Sequence, residues 1–327
     1  MRIACAFARE ATADKALHLS YALLFVVKAH GRFIAITAAD ANSRIVVMNT
    51  FTIRTMRPDE ISLAVDWAAA EGWNPGFADA ACFACVDSQG FFIAELDGAP
   101  AATISCVNYS EGFSFLGFYI VRPDLRGTGC GMRIWKAAIA HAGSRVIGLD
   151  GVTAQQENYR KSGFQLAYAN VRYGGTVAAS AAPPAGIMAL SEVPIAAIEA
   201  DDATVFPAPR PAFLRAWIGA AGHVGCAVVR NGRPAGWGVI RPSRKGFKIG
   251  PLVADDRATA EAVLSALLAK VGGGEIFLDV PGVNRAAIAL AQDFGLAPVF
   301  ETARMYTGAI PPLRLERVFG VTSFELG

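Results

Sequence analysis

Three glycines at alternate positions, Gly127, Gly129 and Gly131, lie in Val121-Arg-Pro-Asp-Leu-Arg-Gly-Thr-Gly-Cys-Gly-Met132, between the apolar stretch FSFLGFYI and the segment RIWKAAIAHAG. Glycine loses more backbone freedom on folding than any other residue, so three in one turn mark a place where a ligand approaches the backbone or the chain turns as other residues cannot. The first amides of a helix lack intrahelical acceptors, and the helix dipole adds partial positive charge there. Bare of side chains, such amides suit a phosphate or pyrophosphate. Arg126 stands ready to add a charge-assisted contact, the alternative being a solvated loop arginine. Thr128 and Cys130 share the turn, and Cys130 reads as a small residue whose backbone matters, not as a nucleophile. No Gly-Lys-Ser/Thr follows, so this is not a Walker loop, and its spacing is not that of a dinucleotide fingerprint.

Other chemistries find less support. The four histidines are isolated, without Cys or carboxylates at ligand spacing, so neither a metal site nor a Ser-His-Asp set can be assembled. Cys82-Phe-Ala-Cys85 has redox or zinc spacing, but no second pair answers it, and two small buried residues are the expectation. Net charge is +2 with no Lys/Arg block, which sets nucleic acid aside. Six scattered cysteines in a chain this long read as reduced thiols and a cytoplasmic location.

The elements that must position the glycine turn follow from the pattern. A length of 327 residues suggests two domains. From Thr50 onward, alternating apolar stretches (TFTIRTM, GFFIAEL, APAATISCVNYS, GFSFLGFYIV, VIGLDGV, QLAYANVRYGG) read as strands. Asp97-Gly98 marks a hairpin between two of them. RPDEISLAVDWAAAEG, the segment after the glycine turn and QQENYRKSGF read as helices. The first half is therefore an α/β fold with a mixed sheet and helices on its faces. Residues 176–187, small and proline-containing, read as a linker.

The second half, 188–327, repeats that order, with a hairpin at Asn231-Gly232. Val121 and Val253, Gly163 and Gly295, and Arg172 and Arg304 all stand 132 residues apart. VADDRATAEAVLSALLA answers the glycine stretch with every glycine gone and with Asp255, Asp256 and Glu261 present. Strand-turn-helix without glycines implies that they serve a ligand in the first half alone. Residues 1–47 include Leu19–Val27, a run too short to span a bilayer, and are expected to be an extension outside the fold, before a first domain over 48–175.

RGTGCG resembles the Arg/Gln-x-x-Gly-x-Gly/Ala signature of the GNAT acyl-CoA N-acyltransferases, with Arg126, Gly129 and Gly131 at its fixed positions. NYRKSGF is similar to the later GNAT segment with a tyrosine four residues before Gly-Phe, matched by Tyr159, Gly163 and Phe164. The two halves and the ending LERVFGVTSFELG resemble a subgroup of tandem GNAT-like bacterial proteins, the second half being degenerate. Where many members carry an asparagine at the start of the tyrosine helix, Gln155 or Gln156 stands here. The resemblance implies that acetyl-CoA, as co-substrate, lays its pyrophosphate on the amides of Arg126–Gly131. It also implies that the pantetheine pairs with Ile120 and Val121, where the strand parts from VIGLD. No metal is implied.

Acyl transfer from a thioester to an amine needs a neutral amine, a polarised carbonyl and a proton for the departing thiolate. Tyr159 is the candidate acid, its alternative a tyrosine packed on the sheet. Ala291 at the equivalent second-half position shows that folding does not require it. Asp150 either receives the acceptor ammonium or only ends its strand, as its counterpart Asp279 would. Glu111, Glu157 and Asp79 are unranked alternatives. Trp73 and Asn74 either line the acceptor slot or pack a tight turn. The expected function is transfer of acetyl to a primary amine of a small molecule, without nucleic acid or membrane partners. Its rival is a non-catalytic acyl-CoA sensor or scaffold.

Overall fold

The computed structural model describes residues 23–29, 32–38, 45–48, 50–178 and 185–327. The first spans are strands β1 (Leu23–Ala29), β2 (Arg32–Ala38) and β3 (Ile45–Met48), an antiparallel meander forming a sheet of its own. Residues 1–22 of the expected extension and half of the expected linker, 179–184, fall outside the described residues.

The first half supplies strands β4 (Phe51–Thr55), β5 (Phe91–Leu96), β6 (Ala99–Asn108), β7 (Phe113–Val121), β8 (Val146–Val152) and β9 (Gln165–Val177). Its helices are α1 (Ile61–Ala70), α2 (Asp79–Phe83), α3 (Cys130–Ala142) and α4 (Gln156–Lys161). The second half supplies β10 (Ile187–Ala189), β11 (Val224–Arg230), β12 (Arg233–Pro242), β13 (Phe247–Ala254), β14 (Gly274–Pro281), β15 (Ala297–Tyr306) and β16 (Val318–Gly320). Its helices are α5 (Ile195–Asp202), α6 (Pro211–Gly219), α7 (Arg257–Val271) and α8 (Arg285–Asp293). Helix α5, just after Pro194, is an element that sequence analysis passed over.

Local chemistry explains the ends of several elements. Asp97 and Gly98 have φ of 52° and 80°, and Asn231 and Gly232 have 50° and 74°. Both hairpins thus carry the doubly positive turn that matches strand twist. In α1, Ile61, Ala64, Val65 and Ala68 share the buried face, the spacing of a helix laid on a sheet. Helices α1, α2, α5 and α6 meet in one core drawn from both halves, where Phe83 stacks on Trp217 with centroids 6.1 Å apart.

The two halves do not sit as separate modules. Strand β15 of the second half pairs with β8 of the first, and β9 of the first pairs with β14 of the second. The two exchanged strands also pair with each other, giving the continuous order β10-β11-β12-β13-β14-β9-β15-β8-β7-β6-β5-β4. Each half therefore borrows its last strand from the other.

Buried ion pairs follow the exchange. Arg304 on β15 grips Asp150 on β8 through Nε and Nη2 at 2.8 and 2.6 Å. Arg172 on β9 grips Asp279 on β14 at 2.6 and 2.8 Å. In both cases arginine and aspartate stand directly opposite in the strand register. A third pair, Arg241 with Asp79, ties β12 to the start of α2 at 2.9 Å. Burial alone would push the Asp279 carboxyl up, but Arg172 and Lys248 outweigh it and hold it below the ordinary carboxylate range.

Residues 318–327 close the structure. Strand β16 pairs antiparallel with β13 through Leu252 and Val253, and the Val321 amide donates to the Asp279 carbonyl at 2.8 Å. The chain then crosses to the first half, where the Tyr109 hydroxyl donates to the Leu326 carbonyl at 2.8 Å.

Candidate active site

Strands β7 and β8 run parallel and stay paired from Phe113 with Val146 to Leu116 with Leu149, and there the pairing ends. Beyond that point β7 bonds only to β6, and the two strands diverge. Phe118, just past the last pair, has φ of 49°, and the Thr103 hydroxyl donates to its carbonyl at 2.9 Å. A bulky residue in that region is strained and must be held by its surroundings. The kink bends β7 where the cleft opens. Nothing in FSFLGFYIV announces it.

A cavity of about 500 Å³ lies at the divergence, lined by the glycine turn and by the segment Phe324–Glu325 among others. Its lining includes Ile120, Val121, Arg126, Gly127, Gly129, Gly131, Asp150, Tyr159 and Trp73. Nine of the twelve residues singled out from sequence thus meet around one space. Thr128, Cys130 and Asn74 do not line it.

The glycine turn has two causes. Gly127 and Gly129 have φ of 79° and 89°, with nothing within 4 Å of where a side chain would begin. They are glycines for the left-handed backbone and leave open space in front of it. Gly131 has a different reason, since a Cβ there would meet the Tyr119 hydroxyl at 2.5 Å. The fold therefore asks for these glycines as well as any ligand, which corrects the inference that they serve a ligand alone. Gly129 is the N-cap of α3, without a side-chain cap. Among the described residues, the amides of Gly127, Gly129, Cys130, Gly131 and Met132 have no acceptor, while Arg126 and Thr128 donate theirs to Pro123 and Leu125. Five free donors around one left-handed turn form a concave anion site. Thr128 serves the turn instead, its hydroxyl donating to the Leu125 carbonyl at 2.7 Å.

The Arg126 guanidinium folds back onto the end of β7 and α1. It donates through Nε to the Val121 carbonyl at 2.9 Å and pairs with Glu71. The pair is half-exposed, so its exchange for a phosphate costs little.

Tyr159 sits on α4 against β8, stacked on Trp135 with centroids 5.8 Å apart. Gly151 makes room for its ring, since a Cβ there would come within 2.2 Å of it. Burial pushes the phenol up to about 12, so it keeps its proton throughout the neutral range. A protonated hydroxyl facing the cleft is suited to give a proton to a leaving sulfur.

Of the two readings of Asp150, its contacts favour the structural one that it shares with Asp279. Both carboxylate oxygens are committed to Arg304, and the Asn170 amide adds a bond at 2.8 Å. Fully buried and charge-matched, it fastens β15 to β8 and is not free to take an ammonium. Asp79 is likewise engaged by Arg241, and Glu157 pairs with Arg160 at the surface. Trp73 lines the cavity, held by its carbonyl to the Arg172 guanidinium at 2.6 Å. Asn74 instead bridges the halves, with its side chain bonded to the Lys245 amide at 2.8 Å and the Lys245 carbonyl at 3.0 Å.

The second half provides a physical control. Helix α7 begins at Asp256, whose carboxylate accepts from the Thr259 amide at 2.7 Å and fills the place an anion would need. Asp256→Ala is expected to cost about 1 kcal/mol of stability, read as a shifted midpoint in urea. Strands β13 and β14 also part beyond Ile249 and Leu278, but β16 lies against both and closes the gap. Cys82 is buried as expected, whereas Cys85 is exposed.

The sequence matches known families in both halves. Residues 57–164 match the acetyltransferase (GNAT) family, and residues 198–320 match an acetyltransferase (GNAT) domain. A holothin acyltransferase from Pseudoalteromonas sp. (strain SANK 73390) is 31% identical over 279 residues, covering 85% of this chain and 95% of that protein. This chain is a tandem GNAT protein. Among solved folds, a putative acetyltransferase from Pyrococcus horikoshii superposes with a TM-score of 0.73 at 22% identity, covering 89% of this chain and 99% of that one. A tandem GNAT protein from the clavulanic acid biosynthesis pathway gives 0.54 at 13% identity, covering 80% and 100%. As a GNAT acyltransferase the chain draws its acyl group from acyl-CoA, and the five free amides fit a pyrophosphate. Among the described residues, no helix is long and apolar enough to cross a membrane.

Sequence reasoning named none of the residues that form the far wall of the GNAT cleft: Phe300, Thr302, Phe324 and Glu325, all from the second half. One signal was available. A Cβ at Gly117, inside β7, would meet the Glu325 carbonyl at 2.0 Å, and glycine within a strand marks a close backbone approach.

Proposed function

We propose that this GNAT protein transfers acetyl from acetyl-CoA to a primary amine of a small molecule, in the first-half cleft alone. The carrying observation is the set of five acceptor-free amides at the mouth of a cavity that also holds Tyr159. The pyrophosphate rests on those amides, with Arg126 swinging from Glu71 to join it. The pantetheine lies along Ile120 and Val121, which brings the thioester to the divergence of β7 and β8. As the neutral amine forms the C–N bond and the C–S bond breaks, Tyr159 donates its proton to the departing sulfur. The proton released by the amine nitrogen, passed through water, restores the phenol. The enclosed far wall, built by the second half, favours a small acceptor over a protein chain. Five described cysteines remain unpaired, which supports a cytoplasmic setting.

The test is thiol release from acetyl-CoA across an amine panel that includes holothin, the compound in the relative's name. Tyr159→Phe is expected to lower kcat about 100-fold or more, in the range of a lost general acid, with acetyl-CoA affinity unchanged. Because the phenol titrates near 12, wild-type activity should show no basic limb below about pH 10 from this group. Acetyl-CoA binding without turnover on any amine, unaltered in Tyr159→Phe, would mark a sensor instead.

A further inference from the structure

We propose that Tyr119 is a further cofactor-binding residue: its phenol hydroxyl stands beside the glycine turn and donates a hydrogen bond to the diphosphate of the acyl-CoA held there. The idea rests on the acyl-CoA reading of the cleft and adds a rigid side-chain donor to a site otherwise built from main-chain amides and the mobile arm of Arg126.

Tyr119 lies on β7, half-buried, and lines the cavity together with Gly127, Gly129 and Gly131. Its ring meets Trp135 edge-on with centroids 5.2 Å apart, a contact that fixes where the hydroxyl points. The hydroxyl lies 2.5 Å from where a Cβ on Gly131 would stand. In a helix the Cα–Cβ direction tilts toward the N-terminus. Gly131 is the second residue of α3, so a group at that place sits on the side toward which the first amides of the helix point. Those amides, from Gly129 to Met132, are the acceptor-free donors of the turn. Gly131 is thus the glycine that admits a phenol to the anion site, and any larger residue would push the hydroxyl out of it.

The hydroxyl is also available. It has no hydrogen-bond partner among the described residues, and it is open where the side-chain oxygens of Thr302 and Glu325, residues that line the same cavity, are sealed. Burial raises the Tyr119 phenol above its ordinary value, so it keeps its proton in the neutral range and acts as a donor. An O–H donating to an ionised phosphate is a charge-assisted bond, stronger than one to a neutral acceptor. The neighbouring hydroxyl of Thr128 is already spent on the Leu125 carbonyl. The second half again serves as a control. Pro251 stands 132 residues after Tyr119, the same offset that relates Val121 to Val253, so the strand does not need a phenol there.

The test compares the full wild-type protein with Tyr119→Phe, which keeps the ring on Trp135 and removes only the hydroxyl. Acetyl-CoA is titrated calorimetrically at pH 7, and phosphorus NMR is then recorded on both complexes at saturating CoA. Tyr119→Phe is expected to raise the dissociation constant about tenfold, the scale of one hydrogen bond to a charged group. A diphosphate resonance of bound CoA should move between the two proteins while the 3′-phosphate resonance stays in place. Gly131→Ala gives an independent reading, because its methyl displaces the hydroxyl, and it should weaken binding by at least as much. Affinity within twofold of wild type in either variant overturns the proposal. Weakened binding with unmoved diphosphate resonances would put the hydroxyl on the pantetheine arm, which overturns it as well. Failure of the wild type to bind acetyl-CoA would instead strike the acyl-CoA reading itself.

Discussion

Gly129→Val is expected to raise the dissociation constant for acetyl-CoA at least 100-fold while the protein stays folded. No atom lies within 4 Å of the added Cβ, so the substitution meets no clash. What it meets is the backbone: φ of 89° is a region a β-branched residue enters at a cost of about 1–3 kcal/mol. The turn relieves that cost by leaving the left-handed region. Its amides then no longer converge, and charge-assisted bonds to phosphate are each worth about 1.5–3 kcal/mol. Two lost bonds already account for more than the expected change. Gly131→Val reaches the same end by another route, because its Cβ would press on the Tyr119 hydroxyl and the Val121 side chain. Calorimetry with acetyl-CoA, with circular dichroism as the folding control, reads both. Undiminished affinity in Gly129→Val would remove the amide turn as the pyrophosphate site.

That turn was legible because its signal is local. A left-handed backbone needs glycine whatever surrounds it, and a helix start leaves free amides by geometry. The hairpins at Asp97-Gly98 and Asn231-Gly232 were legible for the same reason. Tyr159, which lines the cavity, was singled out by the resemblance of NYRKSGF to the GNAT segment and by its absence from the equivalent place at Ala291.

The exchange of last strands was not legible, although its residues were in view. Arg172 and Arg304 were matched as repeats, as were Asp150 and Asp279. A repeat offset fixes which residues correspond and not which partner each one meets. An arginine on either last strand satisfies either aspartate equally well, so the pattern is the same for separate and for exchanged halves. The far wall stayed hidden for a related reason. Phe324 and Glu325 reach the cleft from some 200 residues beyond Gly117, and no local periodicity carries that distance.

Asp150→Ala should destabilise the protein by about 3–5 kcal/mol, the usual cost of leaving a buried partner charge unpaired. Arg304 is 3% exposed and pairs with no other carboxylate among the described residues. Asp279→Ala strands Arg172 in the same way, so the two variants should lose stability to within about 1 kcal/mol of each other, although only Asp150 borders the cleft. Removing both partners separates structure from chemistry, since an apolar replacement of a buried pair is often close to neutral. Asp150→Ala with Arg304→Met is expected to recover most of the lost stability and, with it, acetyl-CoA binding and turnover. A refolded double variant without turnover would restore Asp150 to the reaction itself. Because each aspartate holds a strand belonging to the other half, neither half can open alone. Both single variants should therefore melt in one transition, observed together by tryptophan fluorescence and circular dichroism. Two transitions in either variant would mean that the exchanged strands do not couple the halves, and that the far wall of the cleft is free to move away from the glycine turn.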